Sequence, residues 1–185
     1  MMEDAKPVTM TIRSAMPSDY ELCMAIDHTI STEQVWQMMI DDSEDCVRIT
    51  FRPARLPRST KVLYPRSGEE LLQSWRLHAA FLVAEWEHMV VGYANVREET
   101  ALETAWVADL VVNSSHRLRG IGTALLNATR RWAVEHRLRR LIVETQTKNY
   151  PSIRFLQKRG LTLCGYNDLH YPNQDIALLF GQTLR

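Results

Sequence analysis

The sequence predicts a mixed α/β sheet in a single domain, and three observations carry that reading. The run Ala105–Val112 is apolar except for Asp109, as a central strand covered on both faces requires. A helical period opens near Gly120, where Ile121, Ala124 or Leu125, Ala128 and Trp132 recur at three- and four-residue steps. Further short strand patterns flank this unit, so the order is strands, then strand–loop–helix–strand–helix, then strands. A length of 185 residues suits one core.

The elements follow in order. Val8 to Arg13 alternates loosely and reads as a first strand. Pro17, Ser18 and Asp19 supply the start of a helix that runs through Tyr20, Leu22, Cys23 and Ile26. Ser31 to Met39 reads as a second short helix with Val35, Trp36 and Met39 inward, and Asp41 to Asp45 as an acidic turn. Val47, Ile49 and Phe51 alternate with Arg48, Thr50 and Arg52, the pattern of a half-buried strand. Pro53, Pro57 and Pro65 make the next stretch irregular, with Lys61 to Tyr64 extended. Glu69 to Leu77 fits a short helix.

Phe81 to Glu85 and Val90 to Val96 read as two strands joined through Glu87 and His88. The strand at 105–112, a loop and the helix from about Gly120 to His136 come next, then a strand over Leu141 to Thr145. Pro151 to Arg159 is a helix with proline in its first turn and Gly160 at its end. Leu161 to Tyr166 and Ile176 to Phe180 close the chain as strands.

Composition narrows the function. Lys+Arg and Asp+Glu both number 22, and a dedicated nucleic-acid binder needs a basic excess. Hydrophobic residues make up 45% and no window reaches the apolar length of a membrane span, so neither nucleic acid nor membrane is expected as a partner. Met1 to Met10 lacks the apolar core of a signal peptide. Cys23, Cys46 and Cys164 are odd in number and fit no metal spacing, so free thiols, a cytoplasmic setting and no metal are expected. Arginines 117, 119, 130, 131, 137, 139 and 140 crowd one stretch, either as a solvated face or as positive potential beside a polyanion.

The stretch Arg117-Leu118-Arg119-Gly120-Ile121-Gly122 follows the apolar strand and opens the helix. Glycines let main-chain N–H groups approach a ligand, and the first amides of a helix have no internal partner and face the positive dipole end. Together they make a phosphate cradle. A P-loop needs Gly-Lys-Ser/Thr where Gly122-Thr123-Ala124 stands, and a dinucleotide fingerprint needs glycine at Leu125. Alone, the loop is also compatible with glycines that merely turn the chain.

A second stretch accompanies it: Asn149-Tyr150-Pro151-Ser152-Ile153-Arg154-Phe155, then Lys158-Arg159-Gly160-Leu161. The two together resemble the acetyl-CoA motifs of the GNAT superfamily of N-acetyltransferases. Glu144-Thr145-Gln146 and Tyr171-Pro172 make the pattern most similar to the streptothricin acetyltransferase branch. The resemblance covers roughly residues 79 to 180. It implies a GNAT-like single domain over 1–185 with a cofactor-binding core at about 105–166. The strands Ala105–Val112 and Leu141–Thr145 would splay apart to admit acetyl-CoA. The backbone of Leu110, Val111 and Val112 would pair with the pantetheine arm. Amides of Arg117, Leu118, Arg119, Gly120, Ile121, Gly122 and Thr123 would hold the pyrophosphate, and Asn149 would contact the cofactor. The resemblance implies acetyl transfer to a primary amine of a small molecule, and a possible homodimer.

The chain departs from the family at two positions. The tyrosine often used as general acid falls at Leu156, and a glutamate frequent in this branch falls at Ala108. Asp109, Glu144 and Tyr171 are therefore the catalytic candidates. Asp109 is a carboxylate in an apolar strand, either a base or the partner of an arginine or a loop amide. Glu144 could take the amine proton, bind a cation or hydrogen-bond the loop backbone. Tyr171 could replace the missing acid or pack at the rim. His88 and His170 are the nearest imidazoles and are set aside. Trp36, Trp86, Tyr93 and Trp106 could wall the acceptor pocket or belong to the core. A non-catalytic acyl-CoA-binding module and a different phosphate-ligand enzyme remain as alternatives.

Overall fold

A computed structural model describes residues 9–185. Nine strands and four α-helices occur among the described residues: β1 Met10–Ser14, α1 Asp19–Met24, β2 Ile30–Ser43, β3 Cys46–Val62, α2 Gly68–Arg76, β4 Ala80–Trp86, β5 Met89–Glu99, β6 Thr104–Val112, α3 Ile121–Glu135, β7 Arg140–Gln146, α4 Tyr150–Lys158, β8 Thr162–Asn167 and β9 Ala177–Thr183. Seven strands form a mixed sheet in the order β1-β4-β5-β6-β7-β9-β8, and β2 with β3 forms a separate ribbon. The predicted first strand begins at Val8, which lies outside the described residues. The chain divides into two compact units.

The first unit comprises the residues up to His28, Gly68–Ile142 and Thr183–Arg185. Here β1, β4, β5 and β6 pair antiparallel in succession. The β4–β5 hairpin turns on Glu87 and His88, both at positive φ (49° and 67°), which matches the twist of a two-residue hairpin. One face of β4 and β5 presents Leu82, Ala84, Val91 and Ala94 to Ile121, Leu125 and Ala128 of α3, so these members of the predicted helical period are buried, whereas Trp132 is only half-buried and stacks on His136. The other face presents Phe81 and Tyr93, whose rings stack at 5.2 Å and 10°. Trp75 of α2 meets Tyr93 edge-on at 5.3 Å, and Tyr20 of α1 meets Phe81 at 5.1 Å. Each such pair adds about 0.5–1.5 kcal/mol beyond its buried area. Two packed faces explain why β4 reads as an apolar run rather than an alternation.

The second unit comprises Thr29–Ser67 and Val143–Gln182. Two expectations fail here. Ser31 to Met39 is not a helix but part of β2, and the stretch through Pro53 and Pro57 lies within β3, irregular only where the pairing shifts register between Arg55 and Thr60. Thr32, Val35 and Trp36 fit a pleated surface as readily as a helix face, and pairing decides between them: Trp36 N donates to Thr147 O at 2.8 Å. Trp36 also packs on Phe51 at 6.2 Å and Phe180 at 6.0 Å, whereas Met39, expected inward, is exposed. Prolines are tolerated in β3 because a two-stranded ribbon has an outer edge that needs no N–H donor. Val47 and Ile49 lie on this ribbon but are exposed, so the strand predicted there is not half-buried at that end. In the same unit β8 and β9 pair antiparallel.

Candidate active site

The cradle is built at the end of β6. Asn95 pairs with Asp109 and Val96 with Val107, so Ala108 is an extra residue in the strand. Such a bulge re-aims the residues that follow it, here Leu110, Val111 and Val112. Gly92 of β5 lies so close that a Cβ there would meet Val111 O at 2.6 Å. Past the strand, Asn113 Oδ1 accepts from Ser115 N at 3.1 Å and closes a short turn. Arg117 Nε donates to Val112 O at 2.9 Å and staples the loop to the strand end. Burial lowers the Arg117 pKa, with Asp27 opposing that shift.

Leu118 and Gly120 both adopt positive φ, 63° and 86°, around Arg119. Left-handed residues alternating in this way turn successive N–H groups toward one concavity. Gly120 caps α3 without any side-chain hydrogen bond, and the first turn carries no acidic residue. The first main-chain bond of the helix runs from Ala124 N to Gly120 O at 3.0 Å, so the amides of Ile121, Gly122 and Thr123 precede the ladder. The space beside Gly120 is open: a Cβ added there would meet no atom within 4 Å. These features suit a diphosphate such as that of acetyl-CoA. Arg119 lies with its guanidinium carbon 5.5 Å from the Trp86 ring, which assigns that tryptophan to the loop's support.

Asp109 is 1% exposed in the same unit. Asn95 Nδ2 donates to its Oδ2 at 2.8 Å and to Ser74 Oγ at 3.1 Å, and Arg97 Nη2 donates to the same Ser74 oxygen at 2.7 Å. The carboxylate therefore belongs to a buried chain of polar groups on β5, β6 and α2. Asn95 Oδ1 has no hydrogen-bond partner among the described residues. Nearby, His28 Nε2 lies 2.7 Å from Tyr93 Oη. Burial lowers the His28 pKa, chiefly against the attraction of an Ile26 backbone bond and of Asp109.

The second unit holds a different cluster. The Glu144 side chain is 0% exposed; Arg66 Nη2 donates to its Oε1, and His170 Nε2 lies 3.1 Å from its Oε2. The Arg66 guanidinium carbon stands 5.3 Å from the Tyr171 ring, and the His170 and Tyr171 rings meet edge-on at 4.8 Å. Asn149 caps α4, its Oδ1 accepting from Ser152 N at 3.1 Å.

Glu144 and Tyr171 thus fall in one cluster of the second unit, while Asp109 belongs to a separate network in the first. Glu144 binds the side chains of Arg66 and His170. Tyr93 is fully buried in the aromatic core, and Trp36 packs inside the second unit. Leu156 is 0% exposed, a core residue. Sequence reasoning missed Arg66 and Asn95. Arg66 follows Pro65 in a stretch read as irregular, and Asn95 sits inside an apolar strand, so only an interior polar residue hinted at it. His170 is set aside on sequence grounds, since a lone imidazole carries little information until its partner is known. Among the described residues no group of three or more His, Cys, Asp or Glu could hold a metal ion, and no helix is long and apolar enough to cross a membrane.

Comparison with known proteins agrees with the motifs. The family model described as "Acetyltransferase (GNAT) family" matches residues 37–161. A streptothricin acetyltransferase of Streptomyces lavendulae is 25% identical over 88% of this chain and 87% of its own length. Another, from Escherichia coli, is 32% identical over 39% of this chain, and the match spans only 41% of that enzyme. The crystal structure of nourseothricin acetyltransferase superposes with a TM-score of 0.81 at 22% identity, covering 95% of this chain and 99% of that one, which shows the shared fold. With the family model covering most of the chain and both motifs in their structural places, the chain belongs to the GNAT family of acetyltransferases.

Proposed function

We propose that the chain is an acetyl-CoA-dependent N-acetyltransferase that acts on a primary amine of a small, cationic, streptothricin-like molecule. The observation that carries this reading is the uncapped, acid-free tip of α3 behind two left-handed residues, a donor set fit for a diphosphate. In this reading the amides from Arg117 to Thr123 hold the pyrophosphate and the backbone of Leu110 to Val112 binds the pantetheine arm. Asn149 spends its oxygen on capping α4, so its Nδ2 is the donor left for the cofactor. Acetyl-CoA supplies an activated thioester, so direct attack needs a neutral amine held close and in line. A strand amide near Leu110 to Val112 would stabilise the oxyanion. Asp109, Glu144 and Tyr171 stay as the catalytic candidates, and the whole chain acts as one catalytic domain.

The S. lavendulae relative supports the substrate class, since its likeness runs along 88% of this chain. The cytoplasm is the matching compartment: Cys23, Cys46 and Cys164 are all free. A homodimer belongs to the same reading, and the exposed Met39, Ile40, Val47 and Ile49 of the β2–β3 ribbon would favour it. The test is thiol release from acetyl-CoA with streptothricin, with other amines and with no acceptor. Turnover with streptothricin supports the reading. Acetyl-CoA binding without turnover on any amine favours instead a non-catalytic acyl-CoA-binding module, for which Leu156 and Ala108, at the family's acid and base positions, speak. Binding of ATP or NAD in preference to acetyl-CoA sinks both.

A further inference from the structure

We propose that Arg119, laid against the Trp86 ring, binds the 3′-phosphate of the cofactor and lets the protein tell CoA from 3′-dephospho-CoA; this rests on the reading of the α3 tip as a cradle for acetyl-CoA. Every residue involved belongs to the first unit. The amides of the tip suit a diphosphate. Acetyl-CoA carries a further anion, a phosphomonoester on its ribose with close to two negative charges at pH 7. A terminal phosphate also shows three free oxygens, so a guanidinium can bind two of them in parallel.

The two arginines of the loop divide between strand and solvent. Arg117 is half-buried and its Nε is spent on Val112 O at 2.9 Å. Arg119 is exposed, and its guanidinium makes no hydrogen bond or ion pair among the described residues. It rests instead on the Trp86 ring, 5.5 Å from the centroid. A contact through the face of an indole consumes none of the five N–H donors of a guanidinium. Arg119 therefore offers a full positive charge and a full donor set beside the cradle.

Trp86 is itself held in place. It packs on the cluster formed by Leu82, Ala84, Ile121 and Leu125, so it sits against the flank of α3. The His116 ring meets it edge-on at 6.2 Å and 64°. Ser115 Oγ gives its one proton to Asn113 Oδ1 at 2.9 Å, so it accepts from His116 Nδ1 at 2.9 Å, which fixes that ring as well. The chain of contacts from Asn113 through Ser115, His116 and Trp86 to Arg119 sets the charge before any ligand arrives. An arginine placed in advance gives up less side-chain freedom on binding. Trp86 is thus a positioning residue, and Arg119 is the group that touches the phosphate.

The experiment titrates CoA and 3′-dephospho-CoA calorimetrically into wild type, Arg119→Gln, Trp86→Leu and Trp86→Phe. Wild type should prefer CoA by at least about tenfold, the effect of one charge-assisted contact. That preference should shrink as salt rises. Arg119→Gln keeps the main-chain amide and should bring the ratio of the two affinities to within about twofold of one. Trp86→Leu removes the shelf and should lower the ratio, and Trp86→Phe should restore it, since an aromatic face is what holds the cation. Equal binding of the two ligands by wild type overturns the assignment. A loss in Arg119→Gln that falls equally on both ligands does so too, because it moves that side chain to the diphosphate. Trp86→Leu with the full preference overturns the part given to Trp86, and Arg119→Gln decides alone if that variant does not fold. If wild type binds neither ligand, the cradle reading falls and takes this assignment with it.

Discussion

Arg66 and Glu144 form an ion pair whose side chains are 9% and 0% exposed. Two segments far apart in sequence thus share one charge-neutral, water-poor contact. Removing one partner takes the ion pair from a buried charge, a loss that costs up to about 3–5 kcal/mol. Arg66→Met should therefore destabilise the protein by that order in urea unfolding at pH 7. The double variant Arg66→Met/Glu144→Leu should recover most of the loss, because it buries no lone charge. A single variant as stable as wild type would show that water reaches Glu144.

A second pair governs acid stability. Arg13 Nη1 and Nη2 grip Asp19 Oδ2 and Oδ1 at 2.6 and 3.1 Å, and Met16 N adds a bond at 2.7 Å. The Arg13 hydrogen bonds hold the Asp19 pKa below the usual carboxylate range, against desolvation, which acts to raise it. A lowered folded pKa contributes stability that is present above the unfolded value and is lost as pH falls through the folded one. Asp19→Asn should cost about 1.5–3 kcal/mol at pH 7. The difference from wild type should shrink below about pH 4, the ordinary aspartate range. Equal costs at pH 7 and pH 3 would refute it.

At the cradle, Gly122→Glu adds bulk and negative charge to a helix tip that carries no acid of its own. Acetyl-CoA affinity by calorimetry should fall by more than about tenfold, the effect of ~1.4 kcal/mol, while circular dichroism stays unchanged. Unaltered affinity would place the diphosphate elsewhere.

Leu156 stands where the family has its tyrosine, yet it is fully buried on α4, and Leu161 N donates to its carbonyl at 3.1 Å. The family pattern by itself allows Leu156→Tyr to raise turnover. Packing argues otherwise: a larger, polar ring there should lower stability by about 1–3 kcal/mol. Melting temperature should drop and kcat should not rise. A faster enzyme with an unchanged melting temperature would reopen the acid role at this position.

The three thiols should separate by reactivity. Burial pushes the Cys23 pKa up to about 12 and also raises that of Cys164, whose Sγ donates to Leu179 O at 3.3 Å. Cys46 is exposed at the ribbon end. Titration with a disulfide reagent at pH 8 should modify Cys46 first, Cys164 more slowly and Cys23 only on unfolding. Early modification of Cys23 would contradict its packing.

Sequence alone determined much of this protein: the apolar strand at 105–112, the helix after it, the loop from Arg117 to Gly122 and the family. These are local matters, in which hydrophobic period and glycine placement act within one segment. Tertiary structure decided the rest. Residues 31–39 became strand because β3 and Thr147 supply their hydrogen-bond partners. Arg66, Glu144 and His170 became one cluster because the fold joins positions separated by 78 and 26 residues. Asp109 found Asn95 for the same reason. A side chain's charge and proton depend on what lies within a few ångströms, and that neighbourhood is set by the packed chain rather than by its local pattern.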